Sequence, residues 1–144
     1  MRKVSDIMSA DCVTVSRQNT IQDAARLMRD HDIGFIPVLE GRKLIGVVTD
    51  RDLVIRGYAS DRSGSESVGE VLTEGVRTVG PNVSVDEAAT IMASEQIRRL
   101  PVVSDGHLEG IVSLGDLAIR QIFVNEAGEA LSDISEHGGQ HYAH

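Results

Sequence analysis

Gly46-Val47-Val48-Thr49-Asp50-Arg51-Asp52 returns 64 residues later as Gly110-Ile111-Val112-Ser113-Leu114-Gly115-Asp116. The β-branched pair after each glycine predicts the end of a buried strand. The hydroxyl then stands where a helix begins, which puts the carboxylate in that helix's first turn. A strand-to-helix junction of this kind is where α/β proteins tend to bind small anions and sugars, because the first helix amides carry positive partial charge. Two readings of these residues stay open. Thr49 or Ser113 can offer a hydroxyl to a ligand while Asp52 or Asp116 accepts hydrogen bonds from a diol such as ribose. Equally, Thr49-x-x-Asp52 and Ser113-x-x-Asp116 fit a capping box, in which hydroxyl and carboxylate satisfy first-turn amides. Asp52 to Arg56 and Asp116 to Arg120 also have the spacing of helix-face ion pairs, worth about 0.3 to 0.5 kcal/mol each.

The whole neighbourhood repeats. A shift of 64 residues lays 4–56 on 68–120 without a gap, and Val4, Thr14, Val15, Ala24, Ala25, Met28, Ile33, Pro37, Val38, Leu44, Gly46, Val48, Asp52, Leu53, Ile55 and Arg56 recur. A repeat of this length is a supersecondary unit that cannot bury its apolar face alone, so the two copies are expected to pack on each other. The expected units are 4–59 and 68–122, with a polar linker at 60–67 and a tail at 123–144.

Each unit reads as strand, helix, strand, strand, helix, an α/β (α+β) plan. In the first, a helical lead-in at 4–8 precedes the strand Val13-Thr14-Val15, and Thr20 caps a helix whose apolar face is Ile21, Ala24, Ala25, Leu27 and Met28. The stretch 33–39 is a strand in which Pro37, lacking an amide donor, marks an edge or an interruption. Glu40-Gly41-Arg42 is a turn, 44–48 pairs back as a hairpin, and 50–58 forms the closing helix. The second unit repeats this with a lead-in at 68–72, the strand Arg77-Thr78-Val79, a helix from Ser84, strands at 100–103 and 108–112, and a helix from Leu114. His31 and His107 read as surface residues at a helix end and in a turn, and Arg51 faces either phosphate or water. Beyond Val124, residues 125–136 are expected to form one more short helix. The tail carries His137, His141 and His144, weak candidates for a metal site.

With 144 residues the chain has the size of one domain, long enough to bury roughly 70% of its unfolded surface. The start Met1-Arg2-Lys3-Val4-Ser5-Asp6 has neither a signal peptide's apolar run nor a membrane span. Cys12 is the only cysteine; no internal disulfide is possible, and a reducing cytoplasm is the natural setting. Its expected strand position favours a small buried apolar residue over a reactive thiol. A formal charge of -8 repels nucleic-acid phosphates, and two Phe, two Tyr and no Trp give little to stack on bases. A small anion can still bind where the few arginines converge.

The β-α-β-β-α plan, the Ile-x-x-x-Pro-Val strands (Ile33, Pro37, Val38; Ile97, Pro101, Val102) and the Gly-x-x-Thr/Ser-x-x-Asp junction resemble the CBS domain, named after cystathionine β-synthase. Two in tandem resemble a Bateman module, over residues 4 to 122. The resemblance implies a pseudo-twofold pair of units with two clefts between them that bind adenosine-containing ligands, such as AMP, ADP, ATP or S-adenosylmethionine, with no required cofactor. It implies that Asp52 and Asp116 hold ribose, with Thr49 and Ser113 beside ribose or phosphate. The adenine pockets are then Val13, Ile33, Gly34, Phe35 and Pro37 in one unit, and Arg77, Ile97, Arg98, Arg99 and Pro101 in the other. Where the aspartate of one unit faces the adenine pocket of its partner, Asp52 and Thr49 meet Ile97, Arg98, Arg99 and Pro101, a cleft with arginines in reach of phosphate. The opposite cleft, with Ser113 and Asp116 facing Ile33, Gly34, Phe35 and Pro37, is expected to lack arginine and to bind phosphate less tightly.

The function expected is a non-catalytic regulatory sensor of adenosine ligands, a homodimer acting on some other protein. The alternative is a ligand-free interaction module. An enzyme is disfavoured, since the chain shows no nucleophile-base-acid set and no Walker loop.

Overall fold

Thr20 starts the helix α1 (Ile21–His31) as the sequence predicts. Its hydroxyl oxygen accepts from the Asp23 amide while the Asp23 carboxylate accepts from the Thr20 amide, so two donors that no helix carbonyl reaches are satisfied. Asp32, in left-handed conformation, stops the helix. In this computed structural model, which describes residues 2–118, the second unit repeats one half of that box and the stop: Ser84 caps the amide of Glu87, and the left-handed Gln96 ends the helix Val85–Glu95.

The strand β1 (Val15–Ser16) runs parallel to β2 (Phe35–Glu40), which forms a hairpin with β3 (Lys43–Thr49); β4 (Arg99–Ser104) and β5 (His107–Ser113) form the second hairpin. The five strands make one sheet in the order β1-β2-β3-β5-β4. The hairpins join only at their turn ends, through the pair Lys43 and His107. Pro37 lies inside β2 where β1 does not reach, since β1 pairs only with Val38 and Leu39, and a bulge follows at Val38/Leu39. That agrees with a residue that has no amide to give.

The two halves are tied by exchange. Lys3 bridges to Ser84 and Thr20 to Ser67; Ser9 bridges to Ile111 and Val47 to Thr73. Under the 64-residue shift each pair maps onto the other with its halves swapped, the signature of a pseudo-twofold axis. The lead-in of each unit therefore serves the other. Val4 is buried in a core with Val79, Ala88, Met92, Leu100 and Val112, while Val68, Val71 and Leu72 are buried in a core with Ile21, Met28, Ile36 and Val48. Each such side chain contributes roughly 1.5 to 3 kcal/mol by leaving water. Gly46 and Gly110 allow the crossing: a Cβ would stand 2.5 Å from the Thr73 carbonyl oxygen at Gly46 and 2.7 Å from Met8 Sδ at Gly110.

Several expectations change. The chain between Ser9 and Val15 spans from one unit to the other, so the first strand begins only at Val15, and its counterpart is reduced to the bridge between Val79 and Val102. Cys12 therefore lies before the strand, half-buried, its thiol donating to the Ser9 carbonyl at 3.2 Å. Ala25 is exposed, leaving Ile21, Ala24 and Met28 as the buried face of α1. The closing helix is not uniform: α2 (Asp50–Asp52) widens into a π turn, Leu53–Gly57, and tightens at Tyr58–Ser60. His107 opens β5 and is half-buried rather than lying in a turn. Residues 114–118 are helical; Arg120, the 125–136 segment and the tail histidines lie outside the described residues.

Candidate functional site

At the end of β3 the capping reading of the motif is realised in full. Thr49 Oγ1 accepts the Asp52 amide at 3.1 Å, and Asp52 Oδ2 accepts the Thr49 amide at 3.0 Å. The carboxylate has further partners. Thr73, arriving on the exchanged lead-in, donates its hydroxyl to Asp52 at 3.1 and 3.2 Å from the two oxygens. Arg56 stands 3.9 Å away and donates to the Leu72 carbonyl. Asp52 is the buried charged residue among those described, 9% exposed, and it is buried with partners, as burial of a charge requires.

Thr49 and Thr73 form one corner of a cleft of about 380 Å³ between the units, within the roughly 300 to 1,000 Å³ typical of small-molecule sites. Its apolar walls are Phe35, Val47, Val76, Ile97 and Pro101, and its charged rim is Arg77, Arg98, Arg99 and Glu95. The cleft so combines an apolar lining, two hydroxyls and three guanidinium groups. One of these, Arg77, pairs with Glu95 at 3.3 Å. Arg99 reaches across to the other unit, its guanidinium carbon 6.0 Å from the centre of the Phe35 ring, in cation–π range.

Of the residues singled out in the sequence, Thr49, Arg77, Ile97, Arg98, Arg99 and Pro101 thus meet in one cleft, and Asp52 stands behind it, not in its wall. Phe35 joins this cleft too. The others are dispersed. Val13 and Ile33 pack against the first core and Pro37 is fully buried, while Gly34 lies against the Asp50 carboxylate, which a Cβ would approach to 2.7 Å. Ser113 lines a hollow of about 420 Å³ together with Arg98, Arg99, Leu114, Gly115 and Ala118. This hollow contains none of Ile33, Gly34, Phe35 and Pro37, the residues expected opposite Ser113; it carries arginines because Arg99 pairs with Ser113 across the hairpin, so the arginines border both hollows. Asp116 is half-buried, and its amide donates to Ser113 Oγ at 3.0 Å. Arg51 lines a shallow hollow with Asp50, Val54 and Ile55.

Sequence reasoning missed Thr73, Val76, Val47 and Glu95. The repeat held a signal for the first: Thr73 and Ser9 are hydroxyls at equivalent positions, a match of chemistry that a search for identities passes over. Among the described residues no three or more His, Cys, Asp or Glu side chains cluster as a metal site, and no helix is long and apolar enough to cross a membrane.

The fold agrees with that of known proteins. The CBS domain family matches this chain twice, at residues 4–57 and 68–122. The CBS domain-containing protein YhcV of Bacillus subtilis is 46% identical over 135 residues, 94% of this chain and 96% of its own length. Among solved structures, a putative acetoin utilization protein (AcuB) from Vibrio cholerae superposes with TM-score 0.82 at 33% identity, covering 90% of this chain and 97% of its own. CBSX2, solved in complex with AMP, gives 0.78 at 25% identity, with 87% and 99% covered. The CBS domain pair of MJ0100, solved with 5-methylthioadenosine and S-adenosyl-L-methionine, gives 0.73 at 27% identity, with 88% and 98% covered.

Proposed function

The chain belongs to the CBS-domain family, and on that premise we propose that it is a regulatory sensor that takes an adenosine-containing ligand into the Thr49 cleft. The observation that carries this reading is a cleft built from both units whose lining suits the parts of such a ligand. The base lies against the apolar residues Val47, Val76, Ile97 and Pro101, the ribose at the corner of Thr49 and Thr73 with Asp52 just behind it, and a phosphate or other anionic group toward Arg98 and Arg99. The AMP bound by CBSX2 and the S-adenosyl-L-methionine bound by the MJ0100 pair support this ligand class. AMP, ADP, ATP and S-adenosylmethionine share adenine and ribose, so these contacts are common to all four. The Ser113 hollow, which shares the two arginines but has fewer apolar walls, is the second and weaker site.

A ligand that touches both units fixes their relative angle, by no more than its difference in affinity for the two arrangements. Such a signal needs a reader, a regulated protein of the reducing cytoplasm, and we assign the chain no catalytic step. The helical face with Val54, Ile55 and Tyr58, the last 86% exposed, supports assembly as a homodimer, because apolar groups left in water at this density favour a partner. That face is also what supports the second reading, an interaction module with no ligand.

Titration of the full chain with AMP, ATP and S-adenosylmethionine, by calorimetry and by thermal denaturation, separates the two readings. Saturable heat is expected from at least one, with stabilisation of about 2.7 kcal/mol at 100 times the dissociation constant. No heat and no thermal shift with any of the three overturns the sensor reading.

A further inference from the structure

Glu95 ends the helix Val85–Glu95, where the helix dipole disfavours a negative charge, and no basic residue shares its last turn. Its carboxylate reaches instead to Arg77 Nη1 at 3.3 Å, with both side chains half-exposed. An exposed pair of this kind contributes little to folding. Neither the helix nor the weak ion pair accounts for an acid here. Under the 64-residue shift, Arg77 and Glu95 stand where the first unit has Val13 and His31. There the helix ends with Arg29 and His31, residue types that its dipole favours. The acid and its arginine are thus found together in one copy only, and both line the cleft with Arg98 and Arg99. The latter two make no ion pair among the described residues.

We propose that Glu95 determines the charge specificity of this cleft: it keeps Arg77 from the ligand, so that an adenosine ligand with one phosphate group is taken in preference to a di- or triphosphate. This rests on the adenosine-ligand reading above. Two unpaired guanidinium groups balance one phosphate monoester, which carries about −1.5 to −2 at neutral pH. The three arginines are the cations of the lining. Each further phosphate therefore adds charge that meets no free cation, and the Glu95 carboxylate repels it, an effect that salt screens.

The test is calorimetric titration of the full chain and of Glu95→Gln with adenosine, AMP and ATP, without magnesium, at low and at high salt. Wild type is expected to bind AMP more tightly than ATP. Glu95→Gln is expected to improve ATP relative to AMP by roughly three- to tenfold at low salt and by less at high salt, while uncharged adenosine is unaffected. Adding Arg77→Met to Glu95→Gln removes most of that gain, because the released arginine supplies it. A merely structural Glu95 would move adenosine as much as ATP, and that result overturns the proposal. So does a wild type that prefers ATP. Wild type that binds none of the three sinks the adenosine reading itself, and this assignment with it; binding with an AMP-to-ATP ratio that Glu95→Gln leaves unchanged sinks only the assignment.

Discussion

The two copies of the glycine-hydroxyl-carboxylate turn share a pattern and differ in what is delivered to them. At Thr49–Asp52 the capping box closes in both directions, and a threonine from the other half of the chain holds the carboxylate behind the wall of a cleft. At Ser113–Asp116 one direction of the cap forms among the described residues, and Ser9, the residue in Thr73's place, is exposed. A local motif therefore sets a cap. Whether its acid becomes part of a site depends on the strand that crosses over from the partner unit.

The largest effect that would break this contrast is expected at the crossing points. Gly46→Ala pushes a Cβ to within 2.5 Å of the Thr73 main-chain oxygen, which cannot yield without opening the bridge to Val47, so a loss of about 3 kcal/mol is expected in urea unfolding. Gly110→Ala meets the flexible Met8 Sδ at 2.7 Å and the Ser9 oxygen at 2.8 Å, and about 2 kcal/mol is expected. Equal losses would mean that the two lead-ins are held alike.

The acids themselves come next. Asp52→Ala removes a cap and strands the Thr73 hydroxyl, at a cost of about 2 kcal/mol. Asp116→Ala is expected to cost about 1 kcal/mol or less, and the same unfolding series that ranks the glycines ranks these. A larger loss at Asp116 would reverse the comparison.

The smallest effect is chemical. Cys12 occupies, under the 64-residue shift, the place of the cleft residue Val76. Burial, and secondarily the charge of Asp11, push its thiol up, outweighing the backbone hydrogen bond at Ile111. The native state so prefers the protonated thiol; its contribution to stability is complete below the unfolded thiol's titration and is lost as pH rises through the folded one. Alkylation by iodoacetamide should be slow at neutral pH and faster in urea than in buffer, and equal rates in the two would show the thiol unprotected.

Much of the candidate site was legible because the repeat marked the two turns and the resemblance to the CBS domain assigned the residues around them. Ile97, Arg98, Arg99 and Pro101 could be set against Thr49 only through the resemblance to the CBS domain, and the structure puts them in one cleft. The arginines' second role, beside Ser113, was not legible from the pattern used, since it follows from the cross-strand pairing of Arg99 with Ser113. Thr73 was missed because its counterpart is serine, and its importance depends on a contact with Asp52, 21 residues away along the chain.

By itself the sequence determined the duplicated plan, the helix caps at Thr20 and Ser84, and the place of each turn, because these follow from side chains acting on amides and neighbours a few residues away. Only the tertiary structure decided which unit each lead-in serves, that Asp52 is sealed by Thr73, and which residues wall each hollow. Those are contacts between distant pieces of chain, and a pattern that is the same in both halves cannot say whether each half packs on itself or on the other.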